Sequence, residues 1–151
     1  MGVRRISHLG VCVSDLARSL AFYTEGLGFR EVGRLALDGE ESSRLLELPG
    51  VRFQAVYLEC DGVIVELLHY DEPQAQGDGA ARSMNARGLT HISLAVDDLD
   101  ALLERIPALG GRVLGHTRLD NPGSSALFVL DPDGTRLELL DGPFDPRNLG
   151  Q

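Results

Sequence analysis

The stretch HLGVCVSDL at residues 8–16 returns as HISLAVDDL at residues 91–99, an offset of 83 residues. A second match follows in the same order: DGVIVELL at residues 61–68 returns as DGTRLELL at residues 133–140, with five of eight positions identical. This second offset is 72, so the later copy is 11 residues shorter between its landmarks. Two matches in the same order indicate an internal duplication, and a repeat of this length decides the fold.

Each copy has the pattern of a βαβββ module. Residues 5–13 alternate as a strand with one buried face does, and Ser14 or Asp15 can cap the helix that follows. Asp97 or Asp98 precedes the equivalent helix of the second copy. The two Asp-Gly pairs are predicted to form hairpin turns. Apolar runs bounded by turn residues predict the remaining strands near 30–37, 51–59, 63–70, 112–118, 125–130 and 135–140.

The domain organisation follows from these modules. We expect the first module over 5–70, a polar linker that could contain a short helix over 71–88, the second module over 89–141 and an irregular tail over 142–151. Residues 40–48 are predicted to form an extra helix, which accounts for the greater length of the first module. A chain of 151 residues with 43% apolar content can build two small modules that share a core, but not two independent domains.

The charge and cysteine content limit the classes of partner. The net charge of −9 repels nucleic-acid phosphates and anionic lipids, and no apolar run approaches the ~20 residues needed to span a bilayer. Cys12 and Cys60 form neither a CxxC pair nor a disulfide framework. We therefore expect a cytoplasmic protein with no nucleic-acid partner and no membrane partner.

Four polar residues lie opposite the aliphatic positions of their strands, namely His8, Glu66, His91 and Glu138. A carboxylate on an inward face costs several kcal/mol, on the order of 3 to 5, unless it is paired or bound to a cation. Two neutral imidazoles and two carboxylates neutralise a dication. Their nitrogen and oxygen atoms suit Zn, Ni, Co, Mn or Fe. A lone strand His is more often structural, but a matched quartet in two copies favours one divalent metal ion per site.

Three other candidates are weaker. Cys12 shares the face of His8 and is expected mainly to fill space. His69 follows Glu66 by three residues and therefore lies on the opposite face, and His116 has no counterpart in the first copy and is expected at the surface.

Taken together, these motifs resemble the vicinal oxygen chelate superfamily, which includes glyoxalase I, methylmalonyl-CoA epimerase, extradiol dioxygenases and the fosfomycin and bleomycin resistance proteins. The resemblance covers residues 5–141 and is carried by HLGVCVSDLARSLAFYTEGLGF, VIVELL, GLTHISLAVDDLD and FVLDPDGTRLELL. It implies an α+β fold whose paired modules form a cupped, mostly antiparallel sheet around a metal site. By position, the family's ligands fall on His8, Glu66, His91 and Glu138, the quartet of the glyoxalase I and epimerase branch.

For that branch the resemblance implies a divalent-metal-dependent lyase or isomerase that acts on a small-molecule substrate with vicinal oxygens. The metal is expected to polarise a carbonyl and stabilise the enediolate formed when an α-proton leaves, and Glu66 or Glu138, if displaced from the metal, is expected to be the base. The Arg with which glyoxalase I enzymes of this size bind glutathione falls near Cys12 and is absent. This departure disfavours a glutathione-bound substrate.

Two alternatives stay open. A ring-cleaving dioxygenase on ferrous iron normally uses two His and one carboxylate, so the fourth protein ligand disfavours it. A non-catalytic antibiotic-binding resistance protein relies on aromatic stacking, whereas this chain has no Trp and only five Phe and three Tyr. A homodimer is expected because symmetric association covers exposed strand edges. The metal site could lie within one chain or be shared between two.

Overall fold

The computed structural model describes residues 2–144 and divides the chain into two compact units, split between Asp78 and Gly79. Each unit combines one mixed sheet with a few short helices, which confirms the predicted α+β class. Of the predicted irregular tail, residues 142–144 lie in neither helix nor strand, and residues 145–151 are outside the described residues. No helix within residues 2–144 is both long and apolar enough to cross a bilayer.

Within residues 2–78, the first unit has the order of a βαβββ module with one inserted helix. Its elements are β1 (Leu9–Val13), α1 (Leu16–Ala21), β2 (Arg30–Leu37), α2 (Gly39–Leu46), β3 (Arg52–Cys60) and β4 (Val63–Glu72). A π-helical turn over Phe22–Gly26 continues α1. The strand order is β1-β4-β3-β2, with β1 parallel to β4 and the other pairs antiparallel.

Within residues 79–144, the second unit repeats this layout with shorter strands. Its elements are β5 (Ile92–Val96), α3 (Leu99–Arg105), β6 (Arg112–Val113), β7 (Leu119–Asn121), β8 (Ser124–Leu130) and β9 (Arg136–Asp141). A 3₁₀ turn over Ile106–Leu109 continues α3. The strand order is β5-β9-β8-β6, with β5 parallel to β9, and β7 also pairs with β8.

The prediction of one strand over 112–118 was wrong. The chain instead forms the two-residue β6, a 3₁₀ turn over Gly115–Thr117 and then β7. The Thr117 amide and hydroxyl both donate to the Leu114 carbonyl, at 2.8 and 2.7 Å, and these local bonds bend the backbone out of the sheet.

Aspartates cap both equivalent helices. The Asp15 carboxylate accepts from the Arg18 amide at 3.0 Å, and the Asp98 carboxylate accepts from the Ala101 amide at 3.0 Å. These caps fix the helix starts directly after β1 and β5, so the strands and helices of the two copies begin at matching positions.

The strands alternate between a buried face and a second face. Val11, Val56, Leu58, Val65 and Leu67 are buried on the first face of the first sheet. On the second face, Phe53 and Ala55 belong to an apolar cluster to which Leu46 of α2 and Leu68 also contribute. In the second sheet the buried face consists of Leu127, Val129, Leu137 and Leu139.

The segment between the sheets contains no helix over residues 73–91, and β4 extends into its first two predicted positions. Two arginines of the second unit hold its later part. Arg112 donates to the Gly79 carbonyl at 2.9 Å, and Arg136 donates to the Arg82 carbonyl at 3.1 Å. The irregular segment is therefore tied to the unit that follows it.

Candidate metal centre

The first unit brings His8 and Glu66 together. Glu66 lies on β4, between β1 and β3, and His8 immediately precedes β1. The His8 Nε2 atom lies 3.3 Å from Glu66 Oε2. The Glu66 side chain is 12% exposed against 40% for His8, so the carboxylate is largely withdrawn from water while the imidazole borders solvent.

The second unit repeats this pair with His91 and Glu138. Glu138 lies on β9, between β5 and β8, and His91 immediately precedes β5. The His91 Nε2 atom lies 3.5 Å from Glu138 Oε2. The same carboxylate oxygen accepts a hydrogen bond from the Ser93 hydroxyl at 2.7 Å.

A hydroxyl faces the other ring nitrogen of each histidine. Ser7 Oγ lies 3.1 Å from His8 Nδ1, and Thr90 Oγ1 lies 2.9 Å from His91 Nδ1. When Nδ1 carries the proton and donates to this hydroxyl, the lone pair is on Nε2, the nitrogen nearest the glutamate. An imidazole in that tautomer can bind a metal ion through Nε2.

The spacing within each pair suits two ligands of a common ion. With metal–ligand bonds of about 2.0–2.2 Å, two neighbouring ligands lie about 3.0–3.5 Å apart. The observed separations of 3.3 and 3.5 Å fall in this range. Each pair supplies one nitrogen and one oxygen, so the donor chemistry also fits a divalent cation of the zinc, nickel, cobalt, manganese or ferrous iron type.

The structure joins His8 to Glu66 and His91 to Glu138, each within its own unit. Among residues 2–144, no group of three or more His, Cys, Asp or Glu side chains is spaced to hold a metal ion. Within the described residues, each unit therefore brings together two possible ligands, one imidazole and one carboxylate.

Aromatic residues on the neighbouring strands, Tyr57 and Phe128, were missed by sequence reasoning. In the antiparallel registers, Tyr57 of β3 is opposite Glu66 and Phe128 of β8 is opposite Glu138. Each ring meets the histidine edge to face, with centroids 5.8 Å apart for His8 and Tyr57 and 5.5 Å apart for His91 and Phe128. Each histidine is thus packed against an aromatic ring of its own sheet.

The equivalence of Tyr57 and Phe128 is not visible in the sequence, because the two hairpin loops differ in length. Two residues, Asp61 and Gly62, connect β3 to β4, whereas residues 131–135 connect β8 to β9. Tyr57 therefore stands nine residues before its glutamate and Phe128 stands ten before its own. A search at constant offset cannot find this pair, because the hairpin register decides which residue of the preceding strand lies opposite each glutamate.

The Tyr57 hydroxyl donates a hydrogen bond to the Glu66 carboxylate. This bond, with burial and the negative charge of Glu66, raises the pKa of Tyr57 to about 12, so the phenol keeps its proton and remains a donor. Burial is also the main cause that raises the pKa of Tyr70, with the charges of Cys12 and Glu66 adding to it.

The other titratable candidates lie apart from these pairs. Cys12 is exposed on the same face as Gly10, in register with Leu68. His69 lies on the opposite face, with Nδ1 3.4 Å from the Val13 carbonyl and Nε2 3.7 Å from Asp71. His116 is exposed in its 3₁₀ turn.

Comparison with known families gives one match that spans nearly the whole chain. The model of the Glyoxalase/Bleomycin resistance protein/Dioxygenase superfamily matches residues 5–139. The chain belongs to this superfamily. Its similarity to the lactoylglutathione lyase of Salmonella typhimurium is 31% identity, over 97% of this chain and 98% of that protein. The lactoylglutathione lyase of Haemophilus influenzae is 26% identical over 97% and 98% of the two chains.

Solved structures agree on the superfamily fold. A glyoxalase family protein from Bacillus cereus has a TM-score of 0.83 at 18% identity, over 95% of this chain and 97% of that one. The trypanothione-dependent glyoxalase I of Leishmania major has a TM-score of 0.65 at 24% identity, over 92% and 87%. The family resemblance and the paired-module fold expected from the motifs are both confirmed.

Proposed function

We propose that this protein is a divalent-metal-dependent lyase or isomerase that acts on a small-molecule substrate with neighbouring oxygen atoms. The observation that carries the proposal is the recurrence of one His–Glu pair at matched positions of the two units, with nitrogen–oxygen separations of 3.3 and 3.5 Å. Relatives named lactoylglutathione lyase, matched over nearly the full length of both chains, support chemistry of the glyoxalase type.

In this proposal His8, Glu66, His91 and Glu138 would hold one ion. That ion would act as a Lewis acid toward a substrate carbonyl. The proposal requires the His8–Glu66 pair and the His91–Glu138 pair to meet at one centre, either within a chain or across a homodimer. Either arrangement uses the same four side chains.

The protein's own residues supply a base and an apolar surface beside it. Glu66 or Glu138, once displaced from the metal, accepts the proton that leaves the substrate carbon next to the carbonyl. An apolar cluster lies on the same face of the sheet as Glu66, further along the strand. In this cluster Phe53 stacks on Tyr70 with ring centroids 5.6 Å apart, and Leu68 packs beside them. This cluster limits the access of water to the carboxylate from that end of the strand.

Metal content tests the proposed site. Protein purified without chelator should contain one divalent ion per site, and elemental analysis should show its loss in His8→Ala, His91→Ala and Glu138→Ala. His116→Ala is the matched control, since it removes an exposed imidazole outside both pairs. Full metal content in the three site variants, or loss in the control as well, would contradict the assignment.

Substrate screening tests the chemistry. Metal-loaded protein is assayed with α-hydroxy ketones, with acyl-CoA compounds and with thiohemiacetals of several thiols, because Cys12 stands where the resemblance places a glutathione-binding Arg. Exchange of the α-proton with solvent deuterium, lost in both Glu66→Ala and Glu138→Ala, is the expected result. Oxygen-dependent cleavage of a catechol by the iron form would identify a dioxygenase. Tight binding of an antibiotic by metal-free protein without turnover would identify a resistance protein.

A further inference from the structure

The glutamates of the two units occupy the same place in their sheets. Each lies on a strand with neighbours on both sides, and the registers place Glu66 between Gly10 and Tyr57. The equivalent row in the second unit is Ser93, Glu138 and Phe128. A carboxylate at the centre of such a row can receive a hydrogen bond from either flank.

The two rows place their hydroxyl groups on opposite flanks. In the second unit Ser93, on the parallel strand, donates to Glu138 Oε2 at 2.7 Å, and Phe128 on the antiparallel strand has no hydroxyl. In the first unit Gly10 has no side chain, and Tyr57 on the antiparallel strand supplies the hydroxyl that bonds Glu66. Each row thus pairs a hydroxyl-bearing residue with one that cannot donate from its side chain.

We propose that Tyr57 is a positioning residue that orients Glu66 for metal binding, in the role that Ser93 performs for Glu138 from the opposite strand. The inference rests on the proposed metal site. Rotation about the last side-chain bond of a glutamate is nearly free, so a free carboxylate does not hold one oxygen toward a cation. A fixed donor removes this freedom, and a carboxylate oxygen has lone pairs for both the donor and a metal.

The structure has room to move the hydroxyl donor of the first unit from the antiparallel strand to the parallel strand, where the second unit has it. A Cβ atom added at Gly10 would lie 3.4 Å from Leu68 Cδ1 and 3.8 Å from Glu66 Oε2, both ordinary van der Waals distances. A serine at position 10 therefore fits and brings a hydroxyl near the carboxylate, as Ser93 does in the other unit. Phenylalanine at position 57 matches Phe128, the natural residue at the equivalent place.

Cobalt binding tests the inference. Co²⁺ alone is titrated into metal-free parent protein and into Y57F, S93A and the double variant G10S/Y57F, with calorimetry for affinity and the visible spectrum for coordination. S125A is the matched control, because it removes a seryl hydroxyl that donates to Asp120 at 2.6 Å on the same sheet as Ser93. Unfolding of each variant in chelator checks that the sheets remain folded.

We expect Y57F and S93A each to weaken Co²⁺ binding by about 10- to 100-fold, the usual effect of removing a partner of a metal ligand. The double variant G10S/Y57F should recover most of the loss caused by Y57F, and S125A should bind as the parent does. A residue that served only to pack the sheet would show no such rescue, because serine at position 10 replaces the hydrogen bond but not the phenol.

The outcomes separate this inference from the proposed function. A parent protein that takes up no Co²⁺ refutes the metal site and the inference together. A parent that binds Co²⁺ while Y57F binds it equally tightly, with the same spectrum, refutes only the role of Tyr57. A double variant that stays as weak as Y57F also refutes the inference, because it shows that a hydroxyl beside Glu66 is not what the phenol provides.

Discussion

Gly62 and Gly134 follow aspartates at matching points of the duplicated turns, yet their surroundings differ. Both have a positive φ, +77° at Gly62 and +90° at Gly134. A Cβ atom at Gly62 would meet nothing within 4 Å, whereas one at Gly134 would lie 2.3 Å from the Gly79 carbonyl oxygen and 2.8 Å from its carbon. Alanine at the two positions therefore separates backbone strain from steric conflict.

The structure gives the size of each effect. Gly62→Ala incurs only the left-handed backbone penalty, about 1–2 kcal/mol. Gly134→Ala incurs the same penalty and must also displace the Gly79 backbone, which Arg112 holds by a hydrogen bond of 2.9 Å. Overpacking of this kind costs about 1–3 kcal/mol, and a lost hydrogen bond about 1 kcal/mol. We therefore expect a total of about 3–6 kcal/mol for Gly134→Ala.

Urea and thermal unfolding followed by circular dichroism measure both variants. The expected difference of about 2–4 kcal/mol between them corresponds to about 4–16 °C in midpoint for a chain of this size. Because Glu138 lies four residues after Gly134, the Gly134 variant should also bind metal more weakly than the Gly62 variant. Equal loss of stability in the two variants would refute the close approach of the linker to this turn.

Three further predictions concern stability, pH and metal. Asp131 is fully buried and its carboxylate accepts two amides of its own turn at 2.9 and 2.7 Å, so Asp131→Ala should cost about 3 kcal/mol in urea unfolding. A hydrogen bond from the Gly62 amide lowers the pKa of Glu59, and a hydrogen bond from Arg30 adds to this effect. The carboxylate therefore stabilises the folded state at pH values above its pKa in the unfolded chain. This stabilisation is lost as the pH falls through the lower pKa that Glu59 has in the folded protein. Between about pH 6 and about pH 3, Glu59→Gln should therefore lose less stability than the parent. Metal at about 100 times its dissociation constant should stabilise the parent by about 2.7 kcal/mol over protein in chelator, and His91→Ala should abolish the gain.

Each of these predictions has a contradicting result. A loss below about 1 kcal/mol for Asp131→Ala would mean that its turn is held by other contacts. Parallel pH profiles for the parent and the Glu59 variant would exclude the Gly62 bond as a source of acid sensitivity. Identical midpoints with metal and with chelator would argue against a site specific to the folded state.

The duplication and both His–Glu pairs could be predicted from the sequence because they lie where the repeat is most regular. Strand alternation places His8 opposite the buried Val11 and Glu66 opposite the buried Leu67. The same alternation in the second copy yields the equivalent pair. The helix caps could be predicted to within one residue, and the structure selects Asp15 and Asp98, because capping depends on the residues directly beside the helix.

Other features depended on contacts that a linear pattern does not encode. The bend at Thr117 follows from two local hydrogen bonds that compete with strand pairing. The contact of Gly134 with the segment at Gly79 joins residues far apart in sequence, and nothing in the composition of either marks it. Tyr57 was hidden because its relation to Glu66 is set by a hairpin register and not by an offset along the chain.

The two His–Glu pairs match more closely between the units than the residues that contact them do. A histidine before the first strand and a glutamate on the doubly flanked strand are equivalent in the two units, with separations of 3.3 and 3.5 Å. The hydroxyl that contacts each glutamate comes from Tyr57 in one unit and Ser93 in the other, from opposite neighbouring strands. A carboxylate flanked on both sides accepts equally from either one, so a substitution that removes a donor on one flank can be offset by a donor on the other. The central position of the glutamate strand thus allows the two His–Glu pairs to be equivalent although the residues around them differ.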